Sequence, residues 1–370
     1  MPRLRRSRPS EPGFTRRRAG TGWTYRDQAG ERIGDAEVVE RIRALVIPPA
    51  WTDVWICPWP NGHLQALGTD EAGRRQYLYH PAWRERRDRD KHERVVEIAG
   101  GLPAARAVAD ADAGRGDMSK QHVLGIAFRL LDRGLFRVGG DSYAANNGSY
   151  GLATLLQKHA RVTADGVVFD YVGKSGKEQH VVVREPAVEE AITTLKRRTD
   201  DDPQLLAWRE NVTPVVWHDI DSDDINEYIQ IVVQPGATAK DFRTWHGTVI
   251  AAQALAQAGD AAGMSQTARK RAVAGAMRQV AENLGNTPAV ARASYVDPRV
   301  IDLWEDGVSI APVIDALGEH GEDLSPGERD AAIQAAIEQA VVDLLTAAPT
   351  AVARRLRRGA SRARRIADAA

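Results

Sequence analysis

Four short segments of the sequence carry side chains suited to chemistry at a phosphate group. In chain order they supply a guanidinium, an ammonium, a second guanidinium, an amide and a phenol. The segments are Leu135-Phe-Arg-Val-Gly139, Tyr171-Val-Gly-Lys-Ser-Gly-Lys177, Lys240-Asp-Phe-Arg-Thr-Trp-His-Gly247 and Leu284-Gly-Asn-Thr-Pro288, with Ala293-Ser-Tyr-Val-Asp-Pro298 following the last. The groups in question belong to Arg137, Lys174, Arg243, Asn286 and Tyr295.

Together these groups favour phosphoryl transfer without a metal ion. The transition state carries negative charge on its equatorial oxygens, which planar arginine forks bind bidentately. A lysine can protonate a departing alkoxide, and a tyrosine phenol can form a reversible phosphodiester. The sequence has no Asp, Glu or His cluster at metal-ligand spacing, and its single cysteine, Cys57, excludes a CxxC metal site and a disulfide framework. We therefore expect neither a metal nor another cofactor.

Each of these residues, taken alone, has an ordinary structural explanation. Arg137 and Arg243 are typical of surface or salt-bridged arginines, and Lys174 of a solvated turn. The stretch 286–288 is typical of an N-cap region with a proline in the first helical turn. Tyr295 is typical of a packed aromatic residue near a helix end. The chemical interpretation depends on the order and spacing of the whole set.

The elements that must position these residues are mostly helical after about residue 90. Apolar residues at helical spacing predict a helix that ends at Gly134, just before Arg137. These residues are Val123, Ile126, Ala127, Leu130 and Leu131. Further helices are predicted at Ala187–Arg198, Asp241–Gly259 and Thr267–Gly285. A three-stranded sheet, with Lys174 in its second turn, is predicted at Gln157–Val162, Gly166–Val172 and Gln179–Val183.

The N-terminal region has a different pattern, of short strands between turns. Strands are predicted at Val54–Cys57, His63–Leu67 and Gln76–Tyr79. The predicted fold class is α+β, with a small β-rich N-terminal domain and a larger, mostly α-helical catalytic domain that contains a three-stranded antiparallel sheet. We expect four parts: a basic disordered arm (1–20), the β-rich domain (21–88), the catalytic domain (89–348) and an Arg-rich C-terminal tail (349–370). The alternative for residues 353–365 is a helix docked on the middle of the chain, residues 101–350, whose net charge is negative.

Charge is segregated along a chain whose net charge is zero. Residues 1–100 carry 19 Lys and Arg against 14 Asp and Glu, and residues 351–370 carry seven Arg against one Asp. Such segregation suits a protein that presents basic surfaces to a polyanion. The sequence has no run of about 18 apolar residues, which argues against a membrane partner, and no apolar signal segment. With one cysteine, these features favour a reducing cytoplasm.

The four segments resemble motifs of the type IB DNA topoisomerases, especially of their poxvirus-like bacterial branch. The similar phrases are Phe136-Arg-Val-Gly139, Tyr171-Val-Gly-Lys174, Lys240-Asp-Phe-Arg-Thr-Trp245 and Leu284-Gly-Asn-Thr-Pro288, with Tyr295 nine residues after Asn286. Ile47-Pro-Pro-Ala-Trp51 and Gly73-Arg-Arg-Gln-Tyr-Leu-Tyr-His80 resemble the family's DNA-clamping domain. The resemblance spans about residues 20–310.

The resemblance implies relaxation of supercoiled double-stranded DNA by a monomer that encircles the duplex. Tyr295 would attack a phosphate to give a 3′-phosphotyrosine, and Lys174, with Arg137, would protonate the leaving 5′-oxygen. Arg137, Arg243 and Asn286 would hold the transition state. Strand rotation and religation would follow without ATP or metal. The enzyme would act in the cytoplasm, at the nucleoid.

The resemblance also implies DNA contacts from Arg74, Arg75, Tyr77, Tyr79 and Tyr143. Strand alternation places Tyr77 and Tyr79 on one face of their strand. The alternative is that this face is the core of the β-rich domain.

One position departs from the family pattern. Poxvirus enzymes have a histidine where this chain has Asn286, and an amide can donate a hydrogen bond but cannot titrate. Hydrogen-bond donation is therefore the role expected for Asn286. His246, three residues after Arg243, is either an auxiliary donor or a histidine on the helix surface.

The alternative function is that of a tyrosine site-specific recombinase, which uses the same catalytic logic. That family typically carries His-x-x-Arg at the second arginine and a histidine-rich box before the tyrosine. Here the corresponding positions read Lys240-Asp-Phe-Arg243 and Asn286, which favours the topoisomerase. A non-catalytic DNA-binding protein with basic tails would leave the five-residue set unexplained.

Overall fold

The computed structural model describes residues 3–140, 148–198, 203–318 and 326–368. The chain divides into two compact units, residues 1–93 and 94–370. The first unit contains small antiparallel sheets and the second is mostly helical, which confirms the predicted α+β class. Within the described ranges, no helix combines the length and the apolar character needed to cross a membrane.

The first unit consists of a hairpin, a short helix and a three-stranded sheet. Strands β1 (Thr15–Ala19) and β2 (Gly22–Arg26) pair antiparallel, and helix α1 (Ala36–Ala44) follows. The sheet has the order β3 (Thr52–Ile56), β4 (Leu64–Thr69) and β5 (Arg75–Tyr79). Helix α1 begins where the Asp35 side chain accepts hydrogen bonds from the backbone N–H groups of Glu37 and Val38. The hydrophobic core of the first unit contains Tyr25, Ile42, Val54, Ile56 and Ala66.

The expectation of a disordered arm at residues 1–20 was wrong for residues 3–20. Besides forming β1, this stretch bonds to β3, where the backbone N–H of Phe14 donates to the Ile56 carbonyl at 2.8 Å. The guanidinium of Arg16 donates to the carbonyls of Ile47, Pro48 and Trp51 at 3.0, 2.6 and 2.8 Å. Arg16, one of the arginines that suggested a solvated arm, therefore satisfies backbone groups of the unit.

The second unit begins within helix α2 (Pro81–Ala113), and helices pack against the predicted three-stranded sheet. That sheet has the order β6 (Ala160–Thr163), β7 (Gly166–Val172) and β8 (Glu178–Val183), all antiparallel. A second hairpin, β9 (Ala207–Glu210) with β10 (Val216–Asp219), was not predicted. The remaining helices are α3 (Lys120–Gly134), α4 (Pro186–Leu195), α5 (Ser222–Val232), α6 (Ala239–Gln257), α7 (Gln266–Leu284), α8 (Pro288–Ser294), α9 (Pro298–Glu305), α10 (Ala311–Gly318), α11 (Pro326–Thr346) and α12 (Pro349–Asp368).

Helices α3 and α6 form the centre of this unit. All five apolar residues that predicted α3 are buried, and Phe128 of α3 packs edge-on against Phe242 of α6, with ring centroids 5.2 Å apart. Helix α6 begins with a capping box in which Asp241 accepts from the backbone N–H and the hydroxyl of Thr238, both at 2.9 Å. Helix α6 is therefore a rigid, buried support for the side chains that it carries.

The Arg-rich C-terminal segment is a docked helix and not a free tail. Val352, Leu356 and Ala363 share one face of α12, and all three are buried where α12 packs against α10 and α11. Their helical spacing gives α12 an apolar stripe, and its burial stabilises the helix in spite of the arginines on its other side. The alternative of a docked helix is the one the structure shows.

Candidate active site

The segment that carries Arg137 follows directly on the end of α3. Helix α3 ends at Gly134, and Leu135 after it has a left-handed backbone (φ 55°). The chain then pairs with residues 152 and 153. The backbone N–H of Leu152 donates to the Arg137 carbonyl at 2.8 Å. Gly139 and Gly151 allow this approach, since a Cβ on Gly151 would lie 2.5 Å from the Cα of Gly139. Two glycines thus hold the backbone of Arg137 in place.

Lys174 lies in the turn between β7 and β8, within a single 3₁₀ turn over Lys174–Gly176. Strand β7 is fixed beside the Arg137 segment because Tyr171 stacks on Phe136, with ring centroids 5.8 Å apart and planes 13° from parallel. The Lys174 side chain is exposed and lines an open cleft together with Arg137, Gly139, Gly140, Ser149 and Tyr150. The first arginine and the lysine of the predicted set therefore face the same cleft.

Arg243, in the first turns of α6, is only 4% exposed and connects two of the predicted segments. Its guanidinium donates to the carbonyl of Leu135 and, at 2.5 Å, to the carbonyl of Leu284. These two carbonyls lie at the ends of α3 and α7, just before Arg137 and Asn286. The buried Nε of Arg243 has no hydrogen-bond partner among the described residues.

Burial of the guanidinium, followed by the positive charge of Arg137, lowers the pKa of Arg243 to about 10. Tyr295 opposes this shift. Arg243 therefore remains a cation at neutral pH, with N–H donors that the two carbonyls do not occupy.

The amide of Asn286 is paired on one side and open on the other. Its Oδ1 accepts from Nη2 of Arg137 at 2.7 Å, and because a guanidinium can only donate, the contacted atom must be the amide oxygen. The NH₂ group is left buried without a partner among the described residues. Nζ of Lys177 donates to the backbone carbonyl of Asn286 at 3.2 Å. Asn286 thus presents a free donor beside a guanidinium, an arrangement suited to a phosphate oxygen.

Tyr295 follows the last residue of α8, and its ring lies beside Arg243. The Cζ of Arg243 is 5.4 Å from the ring centroid. Burial raises the pKa of Tyr295, but the charge of Arg243, a hydrogen bond from Arg243, and the charges of Arg137 and Lys240 together lower it below its ordinary value. A lowered pKa favours the phenolate, which is the nucleophilic form of the side chain.

The backbone of Tyr295 rests on the same helix that carries Arg243. A Cβ on Gly247 would lie 2.6 Å from the carbonyl oxygen of Tyr295, so only glycine permits this contact. At the next residue, the hydroxyl of Thr248 donates a hydrogen bond to the Thr244 carbonyl at 2.9 Å and accepts one from the backbone N–H of Asp297 at 3.1 Å. The phenol and the second guanidinium are therefore positioned by one rigid element.

His246 is buried, which contradicts its placement on the helix surface. Its Nε2 lies 3.2 Å from Oδ1 of Asp132, and Arg106 binds the same carboxylate at 2.8 and 2.9 Å. Arg106 also binds Glu338 of α11 at 2.7 and 3.0 Å. Burial alone would raise the pKa of Asp132, but the hydrogen bond from His246 and the charge of Arg106 lower it below the ordinary range. This ionic network ties α6 to α2, α3 and α11.

The residues expected to contact DNA from the first unit lie on β5 and in the turn before it. Tyr77 and Tyr79 are 48% and 37% exposed, and their rings stack with centroids 6.1 Å apart. The alternative that this face is the core of the unit is therefore wrong. Arg74 pairs with Asp70 at 2.9 Å and Arg75 donates to the Thr69 hydroxyl at 3.1 Å. Tyr143 lies outside the described residues.

The structure thus gathers the five predicted catalytic side chains in one unit, through three kinds of contact. Arg137 and Asn286 are hydrogen-bonded, Arg243 lies beside Tyr295, and Lys174 shares the cleft of Arg137. The sequence interpretation missed the positioning residues Gly247 and Thr248 and the neighbouring cation Lys177. A signal existed for Gly247, because a glycine inside a helix destabilises it by about 1 kcal/mol relative to alanine and indicates a packing or functional reason.

Within the described parts of the chain, no group of three or more His, Cys, Asp or Glu residues lies close enough together to hold a metal ion. The side chains that could hold a ligand at the site are cationic or hydrogen-bond donors. They suit an anionic ligand such as a phosphodiester.

Comparisons with known proteins agree with this chemistry. The family model described as "Eukaryotic DNA topoisomerase I, catalytic core" matches residues 80–303, and the model described as "Bacterial DNA topoisomerase IB, N-terminal domain" matches residues 22–70. DNA topoisomerase 1B of Acanthamoeba polyphaga mimivirus is 28% identical over 294 residues, which cover 76% of this chain and 87% of the viral protein. DNA topoisomerase I of Monkeypox virus and DNA topoisomerase 1B of Vaccinia virus (strain Copenhagen) are each 23% identical over 277 residues, covering 74% of this chain and 83% of the viral proteins.

Proposed function

Because the chain belongs to the type IB DNA topoisomerase family, we propose that it relaxes supercoiled DNA by cutting one strand through a covalent bond to Tyr295. The observation that carries this mechanism is the phenol of Tyr295 beside the buried Arg243, in the unit where Arg137 is paired with Asn286. The set contains a nucleophile with a lowered pKa, two guanidiniums and a free amide donor.

In the proposed cleavage step, the phenol oxygen of Tyr295 attacks the phosphorus and its proton leaves to solvent. The bond from phosphorus to the 5′-oxygen breaks, so that the products are a 3′-phosphotyrosine and a free 5′-hydroxyl. Lys174 protonates the departing 5′-oxygen, since it is exposed in the cleft beside Arg137. Lysine at this point supplies the proton that makes the alkoxide a good leaving group.

Charge that develops on the phosphate is stabilised by donors already in place. Arg137 and the remaining N–H groups of Arg243 bind the nonbridging oxygens, and the free NH₂ of Asn286 adds a neutral hydrogen bond. Because Arg243 is held by two backbone carbonyls, it needs no rearrangement when the charge appears. Preorganised donors of this kind in a buried site lower the barrier more than mobile surface cations do.

The reverse reaction restores the DNA. After the cut end has rotated, the free 5′-hydroxyl attacks the phosphorus of the phosphotyrosine and gives its proton to Lys174. The bond from phosphorus to the Tyr295 oxygen breaks, and the released phenolate takes a proton from solvent. The phosphotyrosine link conserves the energy of the broken DNA bond until this step. Neither ATP nor a metal ion is needed by this chemistry. Rotation about the intact strand has no preferred sense, so positive and negative supercoils should relax alike. We propose a monomer that closes around the duplex and acts in the cytoplasm, on DNA of the nucleoid.

Relaxation of a supercoiled plasmid in EDTA without nucleotide tests the proposal. We expect complete relaxation of both positively and negatively supercoiled plasmids by the native chain, and none by Tyr295→Phe. The Phe variant should still bind the plasmid, because only the nucleophilic oxygen is lost. Strict dependence on Mg²⁺ or ATP would contradict the mechanism.

A further inference from the structure

Helix α12 carries a stripe of arginines on the side opposite its buried face. Arg354, Arg357, Arg358 and Arg362, here called the arginine face, are all exposed. Arg357, Arg358 and Arg362 follow Arg354 by three, four and eight positions, and this spacing places all four along one side of the helix. At 1.5 Å per residue the stripe extends for about 12 Å. Three of the four also line a shallow surface cleft that includes Ser361.

The charges of the arginine face are not compensated within the described part of the chain. None of its four guanidiniums lies within ion-pair distance of a described carboxylate, whereas Arg355 on the same helix lies 3.7 Å from Asp343. Like charges three and four residues apart destabilise a helix. A polyanion bound along the stripe would remove that repulsion.

The chemistry of the face points to phosphate groups. All four residues are arginine, whose planar fork binds phosphate oxygens bidentately. The length of the stripe is comparable with the distance that about four successive phosphates of one strand span along a duplex axis. Insertion into a lipid surface would need the apolar side of α12, and that side is already buried against α10 and α11.

The arginine face also has a fixed place in the catalytic unit. Helix α12 packs on α11, and Glu338 of α11 joins the buried network of Arg106, Asp132 and His246. His246 lies one turn from Arg243 on α6. A phosphate backbone bound at α12 would therefore be held in a defined position relative to the active site, in contrast to one bound by a flexible tail.

We propose that the arginine face is a second DNA-contacting surface of the catalytic unit, which binds backbone phosphates of a duplex without taking part in cleavage. The inference rests on the proposed function in one respect, that DNA is the substrate. It adds a site that increases affinity in a salt-dependent manner and leaves the chemical step unchanged.

The test compares the salt dependence of duplex binding, measured with Tyr295→Phe as the non-cleaving background. We change the arginine face to glutamine at all four positions (R354Q, R357Q, R358Q and R362Q), because glutamine keeps the helix propensity of arginine. The slope of log affinity against log salt should become shallower by about 2 to 4, since each phosphate contact contributes about 0.9. Affinity near physiological salt should fall at least about tenfold.

Two control variants separate charge from structure. Four lysines in place of the four arginines keep the charge and should retain most of the slope. Arg355 is already paired with Asp343, so Arg355→Gln should change the slope by less than the value of about 0.9 that one phosphate contact contributes. If the fourfold glutamine variant melts earlier, the pairs R354Q/R358Q and R357Q/R362Q are measured instead, and each should lose about half of the effect.

An unchanged slope in a folded glutamine variant would overturn the proposal. The proposal would also be overturned if the parent protein bound phosphatidylserine vesicles and the fourfold glutamine variant lost that binding while its DNA binding stayed unchanged. In a background with Tyr295 intact, single-turnover cleavage at saturating DNA should be unaffected by the four substitutions. The binding slope is measured without cleavage, so failure of the proposed cleavage mechanism would leave this test readable.

Discussion

Replacing Gly247 by alanine adds one methyl group where helix α6 touches the backbone of Tyr295. In an ordinary helix interior this change stabilises the protein by about 1 kcal/mol, because glycine is the poorer helix former. At this position the new Cβ would lie 2.6 Å from the carbonyl oxygen of Tyr295, 3.1 Å from its Cβ and 3.2 Å from Cδ1 of Leu284. The nearest obstacle is backbone and not the end of a flexible side chain, so the turn that carries the nucleophile must move.

The size of the movement sets the expected effect. Relief of a 2.6 Å contact to an ordinary van der Waals distance requires a displacement on the order of 1 Å, and a misplacement of that size lowers the rate of an enzymatic step about 100-fold. Overpacking destabilises a protein by about 1 to 3 kcal/mol, from which the gain in helix propensity of about 1 kcal/mol is subtracted. We therefore expect cleavage to slow about 100-fold, with a loss of up to about 2 kcal/mol in the free energy of unfolding.

The assay is single-turnover formation of the covalent complex at saturating duplex DNA. Duplex affinity, measured in the Tyr295→Phe background, should be unchanged by Gly247→Ala. The matched control is Gly275→Ala in helix α7, where the nearest atom to the new Cβ is Nη2 of Arg278 at 3.8 Å. That variant should cleave at the native rate and be stabilised by about 1 kcal/mol. Native cleavage by Gly247→Ala, together with increased stability, would refute the positioning of the nucleophile by α6.

Three further predictions concern the cleft and the first unit. Lys174→Ala should slow cleavage of a normal substrate by about 100-fold or more. A substrate with sulfur at the 5′-bridging position should restore the rate, because the leaving thiolate needs no proton. An equal defect on both substrates would make Lys174 a binding residue. Asn286→His, which keeps an N–H donor, should cleave faster than Asn286→Leu in the same single-turnover assay, and equal rates would exclude hydrogen-bond donation. The double substitution Tyr77→Ala and Tyr79→Ala should weaken duplex binding and leave the melting temperature unchanged, because both rings are exposed. Unchanged duplex affinity with a lowered melting temperature would instead assign the two rings a structural role.

The sequence alone predicted those parts of the fold that follow from local patterns. The apolar positions of α3 recur at helical spacing, so that both the helix and its buried face could be predicted. The three strands β6, β7 and β8 are separated by recognisable turns, and all three were predicted within a few residues of their observed bounds. The candidate catalytic residues could be chosen because each lies in a motif of its own.

Long-range contacts limited the rest of the prediction. Composition suggested disorder for residues 1–20, but Arg16 uses its guanidinium to satisfy three carbonyls at residues 47, 48 and 51. The pairing of Arg137 with Asn286 joins residues 149 positions apart, and no local pattern encodes it. The role of Gly247 depends on where Tyr295 packs, which only the folded structure shows.

Mapping the covalent DNA–protein adduct tests the central claim most directly. A suicide duplex that loses its 5′-hydroxyl strand after cleavage should trap the enzyme in EDTA, and mass spectrometry of the digested complex locates the bond. We predict one adduct, at Tyr295, attached to the 3′-phosphate of the cut strand, and none with Tyr295→Phe. An adduct on another residue, or at a 5′-phosphate, would contradict the assignment of the nucleophile.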